Sequence, residues 1–384
     1  MIIRSEIKQL LSEVRNNRRQ LHKIPEIGLN TVLTKEYLIQ QLSKYGVDEI
    51  RCGYAIQGIV VRIKGINGTH PIGFRSDMDG LKIKDETLGN YQSKHIGNSH
   101  SCGHDGHMAL QLGLIHYICL HKKTLREDVV FIFQPGEEGP GGAREMIEDG
   151  LFHDYPIDIM IGYHLLGSLA LGNFACKAGP LMALSGELHL TIIGKSAHAG
   201  FPYLGKDAIV ISSILINQIQ SIISRNIDPL SSAIISLGMI QGGTAINQIA
   251  SSVKIDGSIR SLDNNTYEAI KVRLYEVCRG MEQGFGCEIL CEIHDFYKIV
   301  SNDHMLNNIL KDVSNEDYVE TTPMMMSEDF SFYQEKVPGL FYFIGTKDKK
   351  YNANLHESNF DFNEEALLYG IECNVRILEK LNIL

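Results

Sequence analysis

The feature that most restricts the fold is a change of hydrophobic rhythm near residue 183. Before it, apolar segments come as nearly unbroken runs: "QGIVVRIKG" at 57–65, "HPIGFRSDMDG" at 70–80, "DVVFIFQ" at 128–134 and "IDIMIGYHL" at 157–165. A helical pattern, "HMALQLGLIHYICLHKK", lies among them. Runs buried on both faces and alternating with helices predict an α/β domain with a mostly parallel sheet covered by helices. After residue 183 the pattern alternates strictly. In "GELHLTIIG", Leu188, Leu190 and Ile192 share one face, and Glu187, His189 and Thr191 the other, as in a half-buried antiparallel strand. A helix follows with Ile211, Ile214, Leu215, Ile219, Ile222 and Ile223 on one stripe. Two strands, a helix over 264–284 and a strand near 287–293 complete an α+β unit of about 110 residues, a normal domain size. "GLFYFIG" at 339–345 then reads as a buried strand again, and 363–382 as a closing helix. The expected organisation is therefore a discontinuous domain, 1–182 with 294–384, and an inserted domain, 183–293.

A chain of 384 residues is natural for two domains. Its net charge of −10, without a Lys/Arg block, argues against nucleic acid or an anionic membrane as partner. No apolar run is expected to span a membrane, and "MIIRSEIKQLLSEVRNNRRQ" reads as an amphipathic helix rather than a signal peptide. The eight cysteines are scattered and form no small-domain framework, so free thiols in a reducing cytoplasm are expected.

The chemistry concentrates in a few loops. "HSCGHDGH" at 100–107 packs three histidines, a cysteine and an aspartate into the entrance of a helix expected to begin after Gly106. Thiolate and imidazole are ligands that transition metals prefer, and a helix N-terminus favours an anionic thiolate. The alternative is a polar loop with one buried cysteine. Asp77, Asp79, Glu137, Glu138 and His164 all fall at the C-terminal ends of expected strands, the edge where open α/β sheets bind ligands. His356 stands in "NLHES". Alone, His164 or His356 reads as an ordinary hydrogen-bonded histidine. Together, a cysteine, three histidines and a glutamate exceed one tetrahedral zinc and suit two ions sharing a bridging ligand. Of two adjacent glutamates, one can bind metal while the other carries a proton. Water made acidic by such ions loses its proton near neutral pH, and a carboxylate can pass it to a leaving amine. That chemistry is amide hydrolysis.

Eight ordered stretches make the sequence familiar: "HKIPEIG", "RSDMDG", "CGHDGH", "QPGEEGPGG", "GKSAHAGFP", "QGGTAINQI", "GSIRS" and "SEDFSFY". Across nearly its whole length the chain resembles the dinuclear metal amidohydrolases that include hippurate hydrolase and N-acyl-amino-acid deacylases. The resemblance implies a zinc-exopeptidase-like catalytic domain and an inserted lid through which subunits form a homodimer or tetramer. It implies two divalent ions per subunit (zinc, manganese, cobalt or nickel) held by Cys102, His104, Glu138, His164 and His356, with Cys102 best placed to bridge. It implies Glu137 as general base and Asp79 as a carboxylate that orients a ligand imidazole. On the lid, His198 and Asn247 match groups that bind the scissile carbonyl, and Arg260 one that grips the substrate's α-carboxylate, a task suited to a guanidinium. Within the family, "QSIISRNIDPLSSAIISLG" and "GMEQGFGC" are most similar to members that deacetylate N-acetyl-diaminopimelate for lysine biosynthesis. Hippurate or another N-acyl amino acid is the alternative substrate, and a non-catalytic amino-acid- or peptide-binding relative the alternative class. The chain departs from the family at Lys82, where a proline is usual nearby, at "SHS" before Cys102 and at Gly136 within "QPGEE". None of these removes a ligand. Lys82 and "ETLGNYQSKHIGN" bear on the pocket mouth.

Overall fold

The computed structural model describes residues 1–384. The chain forms two compact units, one of Met1–Leu181, Val300–Thr322 and Asp329–Leu384, the other of Met182–Ile299 and Pro323–Glu328. The second unit thus keeps the chain to Ile299 and takes back 323–328, a segment expected in the first. Hydrogen bonds hold that short return. The Ala183 N–H donates to the carbonyls of Met324 and Met326 at 3.1 and 2.8 Å. The Arg260 guanidinium donates to the Met325 carbonyl at 2.6 Å.

The first unit is built on an eight-stranded sheet. Its order is Glu49–Tyr54, Gly58–Ile63, Val129–Gln134, Ile72–Asp77, Ile159–Ala170, Gly339–Lys347, Phe174–Cys176 and Tyr318–Glu320. The four central strands run parallel; the strands on either side pair with them antiparallel, and at the far edge Tyr318–Glu320 runs parallel to Phe174–Cys176. Every residue of Ile72–Asp77 and of Val129–Gln134 is buried, which is why both read as unbroken apolar runs. The helix His104–Leu120 is buried along most of its length. It starts three residues before the expected place. Gly103 adopts φ 86°, a left-handed turn that glycine makes without a Cβ clash, and the His107 N–H already reaches the Gly103 carbonyl at 3.1 Å.

The strand expected to end near His164 continues to Ala170. Its neighbour Gly339–Lys347 keeps pairing beside it, with Phe343 opposite His164. On the other edge, pairing with Ile72–Asp77 stops at Gly162. His164 therefore sits inside a strand, just past the point where one neighbour ends.

The second unit is a four-stranded antiparallel sheet in the order Glu288–Asp295, Leu184–Ile193, Ser252–Ser261, Ala233–Gly242. Leu188, Leu190 and Ile192 form a core with Ile211, Leu215, Ile219 and Ile222 of the helix Ala208–Asn226 and with Ile270 and Leu274 of Asn264–Phe285. Asp207 and Asp263 cap these helices by accepting first-turn N–H groups, worth ~1 kcal/mol each. Against expectation, Ala208–Asn226 is long and apolar enough to cross a membrane by length and composition. One stripe of it packs into this core, and the side chains of Ser213, Asn217 and Ser221 on the exposed side bond back to their own helix.

Candidate metal centre

The first unit brings five side chains from four chain segments to one place. The Cys102 Sγ lies 3.4 Å from His164 Nε2 and 3.3 Å from His356 Nε2. His356 Nε2 is 3.2 Å from Glu138 Oε1, and His104 Nε2 is 3.9 Å from Glu137 Oε2. Ligand atoms of Cys102, His104 and His164 fall within 4.8 Å of one another, as do those of Cys102, Glu138 and His356, and those of His104, Glu137 and Glu138. Cys102 is common to the first two groups, the position of a bridging ligand.

The donor set fits divalent cations. The His104 Nδ1–H donates to the Asp79 carbonyl at 2.8 Å, and the His164 Nδ1–H to the Leu165 carbonyl at 2.7 Å. A carbonyl only accepts, so each Nδ1 carries a proton and Nε2 is the nitrogen turned to the centre. The Nε2 of His104 is buried with no hydrogen-bond partner. Two imidazole Nε2 atoms, a thiol and a carboxylate thus converge, a set of donors that a cation completes. The electrostatics agree. Burial opposes charge on His104, but Asp77, Asp79 and Glu138 outweigh it and lift the imidazole to about 10. Burial, reinforced by Glu138 and Glu137, pushes the Cys102 thiol well up. Burial also opposes ionisation of Glu138, yet His356 and His104 hold it below the usual carboxylate range. The pocket carries excess negative potential, and a divalent ion would displace the proton from His104 and ionise Cys102.

Asp79 faces the His104 ring through both its carbonyl and its carboxylate. Its carbonyl makes the short contact with His104, while its carboxylate stands 3.6 Å from that ring. The carboxylate also accepts the N–H groups of Glu137 at 3.0 Å and Glu138 at 3.1 Å. It pins the glutamate loop and fixes where both side chains start.

The partners of several buried groups around the centre escaped the sequence reading. Asp77 Oδ1 accepts from His107 Nδ1 at 2.7 Å. The guanidinium of Arg75 bonds Asp77, Asp329 and Gln134 at 2.8, 2.6 and 3.0 Å. Asp105, next to His104, accepts from Arg18 and His22 at 2.8 and 2.7 Å. His22, Arg75, His107 and Asp329 all lie within the ordered stretches quoted above. That membership was the available signal, but it named no partner. Beside the centre's loops, Glu86–Tyr91 and Lys350–Ala353 line a cavity of about 400 Å³.

The remaining expected residues belong to the second unit. His198 and Asn247 are exposed neighbours: His198 bridges to Gln248, and the Ala199 N–H donates to the Asn247 carbonyl at 3.0 Å. The His198 Nδ1 accepts the Gly200 N–H at 3.0 Å, which leaves Nε2–H as an outward donor. Arg260 is half-buried on the strand Ser252–Ser261, and burial lowers its pKa.

The fold and this donor set define a metal-dependent hydrolase with a zinc-exopeptidase-like fold, and the chain belongs to Peptidase family M20/M25/M40, which it matches over residues 73–380. A Bacillus subtilis dinuclear metal-binding peptidase of the M20 family has the same fold, with TM-score 0.86 and 27% identity over 98% of this chain and 99% of that one. In sequence, the chain is 37% identical to the N-acetyldiaminopimelate deacetylase of Listeria monocytogenes serotype 4b (strain CLIP80459), over 96% of this chain and all of that protein. It is 36% identical to the enzyme of the same name from Exiguobacterium sibiricum, over 92% of this chain and 95% of that protein.

Proposed function

We propose that the protein hydrolyses the amide bond of N-acetyl-LL-diaminopimelate, giving LL-diaminopimelate and acetate for lysine biosynthesis. The observation that carries the reading is the convergence of Cys102, His104, Glu138, His164 and His356 beside the pinned Glu137, in a chain similar over nearly its whole length to N-acetyldiaminopimelate deacetylases. Two divalent ions, held by those five residues with Cys102 shared, would supply Lewis acidity and an acidic water. Glu137 Oε takes the proton of the attacking water as its oxygen bonds the acetyl carbon. The same carboxyl returns that proton to the nitrogen as the C–N bond breaks. His198 Nε2–H and Asn247 hold the scissile carbonyl, and Arg260 the α-carboxylate. The far end of the substrate carries an ammonium and a carboxylate, which need polar partners when buried.

The reading extends to assembly and location. The edge strand Ala233–Gly242 has one sheet neighbour and exposes Ile234, Met239 and Ile240, which supports a homodimer through the second unit. Cys102 serves as a ligand only as a free thiolate, so a reducing cytoplasm suits it.

The test compares kcat/KM for N-acetyl-LL-diaminopimelate, hippurate and N-acetyl-methionine under one metal condition. A clear preference for the first is expected. A preference for hippurate overturns the substrate and leaves the amidohydrolase reading standing.

A further inference from the structure

His107 lies three residues beyond His104 on the same helix, and none of the roles above uses it. It is fully buried and its ring packs edge-on against that of His164, with centroids 4.5 Å apart. Its Nδ1–H donates to Asp77 Oδ1 at 2.7 Å. Its Nε2 accepts the N–H of Leu165 at 2.9 Å. Both nitrogens are committed to protein partners, so His107 is a neutral imidazole of fixed tautomer and not a further metal ligand.

The Leu165 contact falls where the sheet changes. Pairing between Ile159–Ala170 and Ile72–Asp77 stops at Gly162. Beyond it, an imidazole rather than a strand accepts the Leu165 N–H. Leu165 is also the residue whose carbonyl takes the His164 Nδ1–H at 2.7 Å. One side of this residue is thus held by His107, and its carbonyl sets the tautomer and ring direction of His164. The path runs from Asp77 through His107 and the Leu165 backbone to His164 Nε2.

We propose that His107 is a positioning residue for the metal position formed by Cys102, His104 and His164, acting through the Leu165 backbone, and that it leaves the position formed by Cys102, Glu138 and His356 untouched. The inference rests on the dinuclear reading above. It predicts an asymmetric effect, because only the first position includes His164.

The experiment uses the full-length chain stripped of metal and titrated with Co²⁺ by equilibrium dialysis, with bound metal measured by elemental analysis. Wild type should hold two ions. His107→Leu should hold one ion with near-wild-type affinity and bind the other ~10–100-fold more weakly, the usual effect of losing a partner that orients a ligand. His107→Gln places an amide oxygen near Nε2, can accept the Leu165 N–H, and should recover most of the loss. His107→Asn keeps the reach to Asp77 only and should not. The retained ion reports that His107→Leu is folded. Two ions bound by His107→Leu as in wild type, or both weakened equally, would overturn the inference. So would rescue by Asn rather than Gln. A wild type that binds no Co²⁺, or binds two ions yet cleaves no N-acyl amino acid, would instead defeat the reading on which it rests.

Discussion

Replacing Arg75 with methionine removes a guanidinium that is wholly buried and bonded to two wholly buried carboxylates. Methionine fills much of the side-chain volume, so the chief loss is charge. Breaking a buried ion pair by removing one partner costs ~3–5 kcal/mol. Two carboxylates are orphaned here, but each keeps other donors: Asp77 has His107, and Asp329 has the Ala143 N–H and Gln134 Nε2 at 2.9 and 2.7 Å. A further limit comes from protonation. An orphaned carboxylate can take up a proton, which at pH 7 costs about 3.1 pH units from an ordinary pKa of ~3.9, or ~4 kcal/mol at ~1.4 kcal/mol per unit. The expected loss is therefore ~3–5 kcal/mol at pH 7. It should shrink by ~1.4 kcal/mol per unit as pH falls towards 5, because protonation becomes cheaper. Urea unfolding of wild type and Arg75→Met at both pH values measures this through the shift in midpoint. A loss below ~1 kcal/mol, or one independent of pH, would refute the view that buried charge compensation dominates here.

Glu137→Gln keeps the backbone N–H that Asp79 holds, so it should retain both metal ions while kcat falls ~10²–10⁴-fold; Glu138→Gln should lose metal affinity first, and the reverse pattern in elemental analysis and steady-state kinetics would exchange the two roles. Cys102→Ser should lower metal content and turnover together, since both Cys102 groupings lose their shared ligand; unchanged stoichiometry on dialysis would remove Cys102 from the centre. Burial pushes His100 down to about 3, so it stays neutral in the folded chain while the unfolded chain protonates it near pH 6.5. Its stability contribution is whole above that pH and is lost as pH falls towards 3, at up to ~1.4 kcal/mol per unit. The stability difference between His100→Leu and wild type should therefore shift in favour of the variant on acidification from pH 6.5, and parallel pH profiles from chemical unfolding would contradict this.

Local pattern was enough for some of this protein and blind to the rest, and the boundary has a physical basis. Unbroken runs such as Val129–Gln134 and alternation such as Leu184–Ile193 declare themselves in sequence, because burial on two faces or on one dictates which residue types the positions tolerate. Chemistry-bearing residues after such runs could be named because a parallel sheet collects its strand ends at one edge. What sequence could not supply was pairing across long separations. Arg75 and Asp329 are 254 residues apart and meet in a bond of 2.6 Å. Nothing local to either says so. The strand through His164 outran its expected end because Gly339–Lys347 continues beside it. The His104 ring is oriented mainly by a main-chain carbonyl of Asp79, which no side-chain pattern can encode. Residues 323–328 join the second unit through backbone hydrogen bonds to Ala183. The sequence by itself determined the element types, the order of the two rhythms and the inventory of candidate metal-binding side chains, because these follow from local burial and chemical identity. Tertiary structure alone decided the tautomers, the compensation of buried charge and the place where one strand gives way to the His107 imidazole, because each depends on groups that approach only once the sheet has closed over them.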